Sequence, residues 1–267
     1  MTLEQLRQPV KDEYDSFLQE YRLHASVLAD ACGGLPPVGT GKQLRPLLLL
    51  LSAKTCGTGS DKHILLAVAV EMLHNATLMH DDVVDESDTR RGQPSLRKTL
   101  GNQTAVLCGD HLLAQTMLLL QEIGSPEASS LFAKTVADMT RGELLQLDIT
   151  RSRQATLDEY LEIISLKTAS LMAACCQLGA SNLVDTSSPA SQSLRAFGLH
   201  YGMAFQIHDD LGSLDPRHDA SYPQGINPEQ LIAEHTEKAR EALAPLPTSP
   251  ARDALLSLLS PSAPMPS

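Results

Sequence analysis

The chain has 267 residues, of which 42 % are hydrophobic and only 3 % aromatic, so aliphatic side chains must form its core. Its formal net charge of −11 argues against a nucleic-acid partner, because phosphate backbones are bound through basic surfaces. The 5 cysteines show no CxxC spacing and include an adjacent pair, which disfavours both a disulfide framework and a zinc site. The N-terminus is too polar for a signal peptide, and the aliphatic run at 47–51 is too short to cross a bilayer. We therefore expect a cytoplasmic protein that is not integral to a membrane.

Glycine and proline divide the first third of the chain into predicted helices. An amphipathic helix is expected over 11–32, where Gly33 and Gly34 end it, and the loop that follows contains two prolines. A short apolar helix is expected over 44–54. Ser60 can cap the next helix, which is predicted to continue to Asp85.

Similar signals predict helices in the rest of the chain. Ser125 followed by Pro126 favours a helix start, and 156–159 has the sequence of a capping box for a helix that reaches about 179. Further helices are predicted over about 189–211 and 228–243, and the tail from about 245 is rich in proline and serine. We predict one all-α domain over 1–267, a helical bundle whose functional groups face a central cavity.

The most informative stretch contains the DDVVD pattern at 81–85. Asp81 and Asp85 lie four residues apart, so on a helix they share one face, where like charges repel. A hard divalent cation such as Mg²⁺ removes that repulsion and completes its shell with water and substrate phosphate. A solvated acidic helix end is the alternative, but the preceding turns are apolar, which favours an inward-facing site.

Basic groups surround this pattern in the sequence. Arg90 and Arg91 follow it directly, and arginine binds anionic oxygens through two parallel hydrogen bonds. His74 lies two turns before Asp81, where a buried core role is the alternative to donating a hydrogen bond to a ligand. Lys42 and Arg45 in GKQLRP lie near a predicted helix start, which itself attracts anions; a surface turn is the alternative.

Six motifs occur in order between about residues 40 and 215: GKQLRP, LHNATLMHDDVVDESDTRRG, AVLCGDHLL, GELLQL, LKTASL and GMAFQIHDD. Together they resemble the polyprenyl (trans-isoprenyl) diphosphate synthase family. The resemblance implies an isoprenoid-synthase-type helical fold, a homodimer, Mg²⁺, and condensation of an allylic prenyl diphosphate with isopentenyl diphosphate.

The resemblance also implies roles for individual residues. Isopentenyl diphosphate would be bound by Lys42, Arg45, His74 and Arg91. The metal ions would be bound by Asp81, Asp85 and Asp209, and the allylic diphosphate would contact Arg90. Further catalytic or substrate-binding positions are Lys167, Thr168, Gln206 and Asp210. Asp82 belongs to the first motif, with a less certain part in metal binding.

Two departures from the family pattern stand out. Ser213 occupies the place of the third aspartate in the second motif, and the segment after it is shortened, without the family's lysine-bearing loop. Loss of one charge-stabilising group at such a site typically costs roughly 10²–10³ in rate. A catalytically weak or inactive subunit that binds prenyl diphosphates is therefore an alternative, and a terpene cyclase is a lesser one.

Product length in this family depends on residues one turn before the first aspartate, here Ala76 and Thr77. Neither is aromatic, so we expect no plug at that depth. Each added isoprene unit buries about five carbons, or roughly 3–4 kcal/mol of apolar contact. The sequence therefore predicts a product longer than farnesyl diphosphate.

Overall fold

The computed structural model describes residues 2–31, 41–152, 154–183, 185–213 and 222–260, and nearly all regular structure there is helical. The helices are α1 (Leu3–Arg7), α2 (Lys11–Ala31), α3 (Leu44–Cys56), α4 (Asp61–Val84), α5 (Leu96–Leu100), α6 (Asn102–Ile123), α7 (Pro126–Ser152), α8 (Leu157–Ile164), α9 (Ser170–Ala180), α10 (Pro189–Ser213), α11 (Pro228–Leu243) and α12 (Pro250–Ser257). A 3₁₀ turn (Gln8–Val10) links α1 to α2, and a π-helical turn (Ser165–Ala169) links α8 to α9. Within the described ranges the only strands are β1 (Thr89–Arg90) and β2 (Gln93–Pro94), which form a small antiparallel hairpin. The all-α prediction is confirmed.

Local capping chemistry explains where several helices begin and end. Thr156 and Glu159 form the predicted capping box, so α8 begins at Leu157, directly after Thr156. Helix α3 ends at Gly57, whose φ of 68° is the left-handed conformation that glycine adopts without strain. The glycines and prolines predicted to end α2 and form the following loop lie outside the described residues.

Helices α3, α4 and α9 form the centre of the main hydrophobic core. Residues 47–51 of α3 are almost completely buried, as are most apolar residues of α4 and α9. Helices α3 and α9 approach so closely that a Cβ at Gly179 would lie 2.1 Å from the Leu49 carbonyl oxygen, so only glycine fits there. A smaller core cluster around Tyr160 and Ile207 lies where α8 meets α10.

The C-terminal tail contains a helix that the sequence did not predict. Helix α12 is capped by Ser249 and buries Ala251, Ala254 and Leu255 in the main core. Its contacts include α3 and the N-terminal α1. The two ends of the described chain therefore pack together.

One described stretch, Leu157–Ala180, is long and apolar enough to cross a membrane, and 72 % of its most apolar window is buried inside the protein. The core helix of a helical bundle has the same composition, so this stretch is weak evidence for a membrane span.

Candidate active site

A cavity of about 800 Å³ opens among α3, α4, α7, α10 and the π-helical turn. Most of the predicted site residues line it: Lys42, Arg45, His74, Thr77, Asp81, Asp85, Arg90, Arg91, Lys167, Thr168, Gln206 and Asp209. Its apolar wall includes Leu78, Met139, Leu144, Leu147 and Phe205. Since the α-helix rises about 1.5 Å per residue, His74 and Asp81 lie about 10 Å apart along α4. The cavity thus offers two polar zones along this one helix.

The first zone is acidic and lies at the C-terminal end of α4. Burial raises the pKa of Asp81 to about 6; Lys167 opposes that shift, while Glu143 and Asp85 add to it. Burial likewise raises the pKa of Asp85. Three carboxylates therefore repel one another electrostatically here, and added positive charge would stabilise their ionised forms.

Lys167 is the cation within this acidic zone. Its Nζ lies 2.5 Å from Glu143 Oε2 and donates to Gln146 Oε1 at 3.2 Å. Burial alone would lower the pKa of Lys167, but the Glu143 carboxylate raises it, so the ammonium form is retained. Glu143 and Gln146 lie in the GELLQL motif, but nothing in their sequence context indicated a role for either side chain.

These donors suit magnesium when the substrate supplies further oxygen ligands. No three His, Cys, Asp or Glu side chains in the described part of the chain are gathered closely enough to hold a metal ion alone. Mg²⁺, however, is usually bound through one or two carboxylates together with water and substrate phosphate. Asp81 and Asp85 provide such a pair on the cavity wall.

Asp82 turns away from the cavity and binds Arg90. It is 4 % exposed, and its Oδ1 accepts hydrogen bonds from Arg90 Nε at 2.9 Å and from Arg90 Nη2. Arg90 and Arg91 belong to the hairpin, where Arg91 and Gly92 both have positive φ, the backbone of a type I′ turn. The second aspartate of the motif therefore orients an arginine that lines the cavity.

The second zone is cationic and lies two to three turns deeper along α4. Arg45 Nη1 lies 3.0 Å from His74 Nε2, and Arg45 Nε is enclosed without a hydrogen-bond partner among the described residues. Burial and the neighbouring arginines hold the pKa of His74 well below its usual value. Because arginine can only donate, the neutral imidazole accepts at Nε2 and carries its proton on Nδ1.

Glu71 is the counter-charge of this zone and was not recognised in the sequence. It is 2 % exposed and lines the cavity. Burial raises its pKa, an effect that Arg45 and Arg91 oppose. Asn75 Nδ2 donates to the Glu71 carbonyl oxygen at 2.7 Å and to Tyr21 Oη at 3.1 Å, which ties α4 to α2.

Helix α10 contributes Gln206, Asp209 and Asp210. Gln206 Oε1 accepts from Thr168 Oγ1 at 2.7 Å, and its Nε2 donates to Asp210 Oδ1 at 2.7 Å. Asp209 lines the cavity; burial raises its pKa, which His208 and Lys42 oppose.

Two predicted site residues lie elsewhere. Asp210 is not part of the cavity wall; its second oxygen accepts from Tyr160 Oη at 2.6 Å, so it orients Gln206 instead of facing a substrate. Ala76 is fully buried in the core and does not line the cavity, whereas its neighbour Thr77 does. In both cases an adjacent residue, Asp209 or Thr77, faces the cavity instead, because neighbouring residues on a helix point about 100° apart.

Ser213 is the last residue of α10. Asp215 and Arg217, which follow it in the sequence, lie outside the described residues.

The helical bundle and its two polar zones place this chain in the class of isoprenoid synthases. The chain superposes with a TM-score of 0.84 and 28 % identity on a polyprenyl synthase from Caulobacter crescentus, crystallised with calcium and isoprenyl diphosphate. The match covers 97 % of this chain and 96 % of that one.

Sequence comparison narrows the class to a family. The polyprenyl synthetase family model matches residues 37–220, so the chain belongs to that family. It is 43 % identical over 181 residues to an all-trans-nonaprenyl-diphosphate synthase (geranyl-diphosphate specific) of Rhodobacter capsulatus, covering 67 % of this chain and 54 % of that protein. It is 39 % identical over 171 residues to heptaprenyl diphosphate synthase component 2 of Geobacillus stearothermophilus, covering 64 % and 53 %. The chain spans about half the length of the curated relatives it matches.

Proposed function

We propose that this chain is a trans-prenyltransferase that extends an allylic prenyl diphosphate with isopentenyl diphosphate. The observation that carries the proposal is one cavity with an acidic zone and a cationic zone, joined by an apolar wall. Two diphosphate substrates with hydrocarbon tails require this combination. The named activities of the relatives and the isoprenyl diphosphate in the Caulobacter structure support it.

In this proposal the two zones bind different diphosphates. Arg45, with its unpartnered Nε, binds isopentenyl diphosphate together with Lys42 and Arg91, and His74 orients Arg45. Arg90 and Lys167 face the allylic diphosphate, whose departure leaves negative charge that cations stabilise. No protein nucleophile is needed, because the double bond of isopentenyl diphosphate attacks the allylic cation.

Mg²⁺ is the proposed cofactor, and Asp81, Asp85 and Asp209 are the residues that would bind it. When bound, the metal neutralises charge on the leaving diphosphate. Binding would also offset the burial and the like charges of Glu143 and Asp85, which together raise the pKa of Asp81. Glu143 is a further carboxylate in the same zone.

The product is proposed to be of medium or long chain. The wall beside Thr77 carries no aromatic side chain on α4, and Leu78, Leu144 and Leu147 provide an apolar path.

A homodimer is proposed from an unpartnered apolar stripe on α6. Val106, Leu107, Met117 and Leu118 are exposed there, although α6 packs its other face against α4. Such a stripe is typical of a protein–protein interface.

A weakly active, substrate-binding subunit is the second candidate. It is favoured by Ser213 in the second motif and by one relative's name, which describes a component of a synthase. Metal-dependent binding of prenyl diphosphates without turnover would support it. A terpene cyclase would release hydrocarbon from one allylic diphosphate alone.

The test is incorporation of radiolabelled isopentenyl diphosphate, with farnesyl or geranylgeranyl diphosphate as primer and Mg²⁺. Asp81→Ala should abolish extension. Asp88→Ala, which removes an exposed carboxylate outside the cavity, is the matched control and should retain it. Absence of extension by folded wild-type protein with every primer would refute the catalytic proposal.

A further inference from the structure

The backbone of Gln43 is unusual and lies at the edge of the cationic zone. Its φ and ψ are 50° and 45°, the left-handed conformation, which costs energy for a residue with a Cβ. Arg91 has a similar φ, but its hairpin turn requires it. Gln43 lies instead at the N-cap of α3, where an extended backbone is usual, and its side chain makes no capping hydrogen bond. Such strain persists only when surrounding contacts enforce it.

The contacts that hold Gln43 come from the N-terminal helices. Tyr14 Oη on α2 donates to Gln43 Oε1 at 2.5 Å. Arg7 Nη2 on α1 donates to the Lys42 carbonyl oxygen at 2.9 Å. The Arg7 guanidinium also lies 4.3 Å from the centre of the Tyr14 ring. We call Arg7 and Tyr14 the N-terminal clamp.

The clamp is largely protected from water. Tyr14 is 3 % exposed and Gln43 is 8 % exposed, and the Tyr14 ring packs against Phe17 at 5.5 Å. A hydrogen bond in such surroundings competes little with solvent, so it fixes its partner firmly.

The clamped turn presents the cations of the deeper zone. Lys42 and Gln43 both line the cavity, and α3 begins immediately afterwards, with Arg45 in its first turn. Gly41 lies against Arg91, where a Cβ would be 2.4 Å from Arg91 Nη1. A shift of this turn would therefore displace three of the cationic side chains together.

We propose that Tyr14 and Arg7 are positioning residues for the isopentenyl diphosphate site. They hold the 41–43 turn in its left-handed geometry and so align Lys42, Arg45 and Arg91 on one diphosphate. Both residues precede residue 37, where the family match begins. The inference rests on the proposed function, because it assigns the cationic zone to isopentenyl diphosphate.

The test compares equilibrium binding of each substrate alone by isothermal titration calorimetry, since neither reacts without the other. Tyr14→Phe removes the hydroxyl and keeps the ring in place. Loss of one buried hydrogen bond should raise the Kd for isopentenyl diphosphate about 3- to 10-fold. The Kd for farnesyl diphosphate with Mg²⁺ should change less than about 2-fold, because the hydrogen bonds of the clamp in the described structure go to Lys42 and Gln43 and not to Asp81, Asp85 or Lys167.

Two further variants separate positioning from general stability. Tyr222→Phe removes another enclosed tyrosine hydroxyl, one that has no hydrogen-bond partner in the described structure, and should leave both affinities unchanged. Gln43→Gly adopts positive φ without strain and removes the acceptor of Tyr14. In that background Tyr14→Phe should have no additional effect. If Tyr14→Phe does not fold, Arg7→Met should show the same selective loss for isopentenyl diphosphate.

The outcomes distinguish the inference from the function on which it rests. Failure of wild-type protein to bind isopentenyl diphosphate would refute the proposed function, and this inference with it. Unchanged binding in Tyr14→Phe, or equal weakening of both substrates, would refute the clamp alone.

Discussion

Asp82→Asn should destabilise the protein without weakening metal binding, although Asp82 stands inside the aspartate-rich motif. The carboxylate is buried and accepts two hydrogen bonds from Arg90, whose side chain is 34 % exposed against 6 % for Asp82. Removing one partner of a fully buried pair costs about 3–5 kcal/mol. Because Arg90 is partly solvated, we expect about 2 kcal/mol, in the range of charge-assisted hydrogen bonds. For a chain of this size that lowers Tm by about 4–8 °C.

Asp81→Asn provides the matched comparison and should show the opposite behaviour. Asp81 lies among like charges, and burial already raises its pKa to about 6, so a neutral amide costs the fold little. It should, however, weaken cation binding strongly. Urea denaturation gives the stability of each variant, and Mn²⁺ binding with inorganic pyrophosphate, followed by electron paramagnetic resonance, gives the metal affinity.

Asp82→Asn should also change substrate binding. Once released from Asp82, Arg90 should bind the allylic diphosphate less well, which raises KM for that substrate more than KM for isopentenyl diphosphate. The reasoning is refuted if Asp82→Asn reduces Mn²⁺ affinity as much as Asp81→Asn does while Tm stays unchanged.

Three other predictions concern product length and pH. Thr77→Phe should shorten the product, because Thr77 lines the cavity, whereas Ala76→Phe should mainly overpack the core and cost about 1–3 kcal/mol of stability. Chromatography of the products measures the first effect and thermal denaturation the second. An unchanged product length from an active Thr77→Phe variant would refute this prediction. Metal affinity should fall about tenfold per pH unit below 6, because Asp81 must lose its proton to bind a cation, and Asp81→Asn should flatten that slope in calorimetric titrations. The Nδ1 atoms of His235 and His200 lie 3.1 Å apart. Burial and His200 lower the pKa of His235 to about 4, whereas its value in the unfolded chain is near 6.5. The free energy of unfolding should therefore decrease as the pH falls below 6.5. At this partly exposed site we expect His235 to contribute about 1 kcal/mol of the stability difference between pH 8 and pH 5.5, and His235→Gln should reduce that difference by about the same amount in urea denaturation.

Local chemistry explains why so much of the helical framework was predictable. The start of α8 depends on Thr156 and Glu159, which lie three residues apart and contact each other directly. The shared face of Asp81 and Asp85 follows from the helical period alone. Signals of this kind need no knowledge of distant residues.

The features that were missed depend on distant partners. In the sequence Glu143 cannot be distinguished from other carboxylates on a helix. Only the packing of α7 against the π-helical turn places it beside Lys167. The tail helix α12 is too short to be stable alone and exists because α1 and α3 cover its apolar face. The contact between Tyr14 and Gln43 joins positions 29 residues apart, and no local pattern encodes it.

The sequence by itself determined the fold class, the family motifs and about half of the cavity-lining residues, because helical periodicity and motif order are properties of neighbouring residues. Only the tertiary structure decided which face of each helix meets the cavity. It separated Asp81 from Asp82, Thr77 from Ala76 and Asp209 from Asp210. Adjacent residues on a helix point about 100° apart, so their roles depend on which neighbouring helix packs against each face.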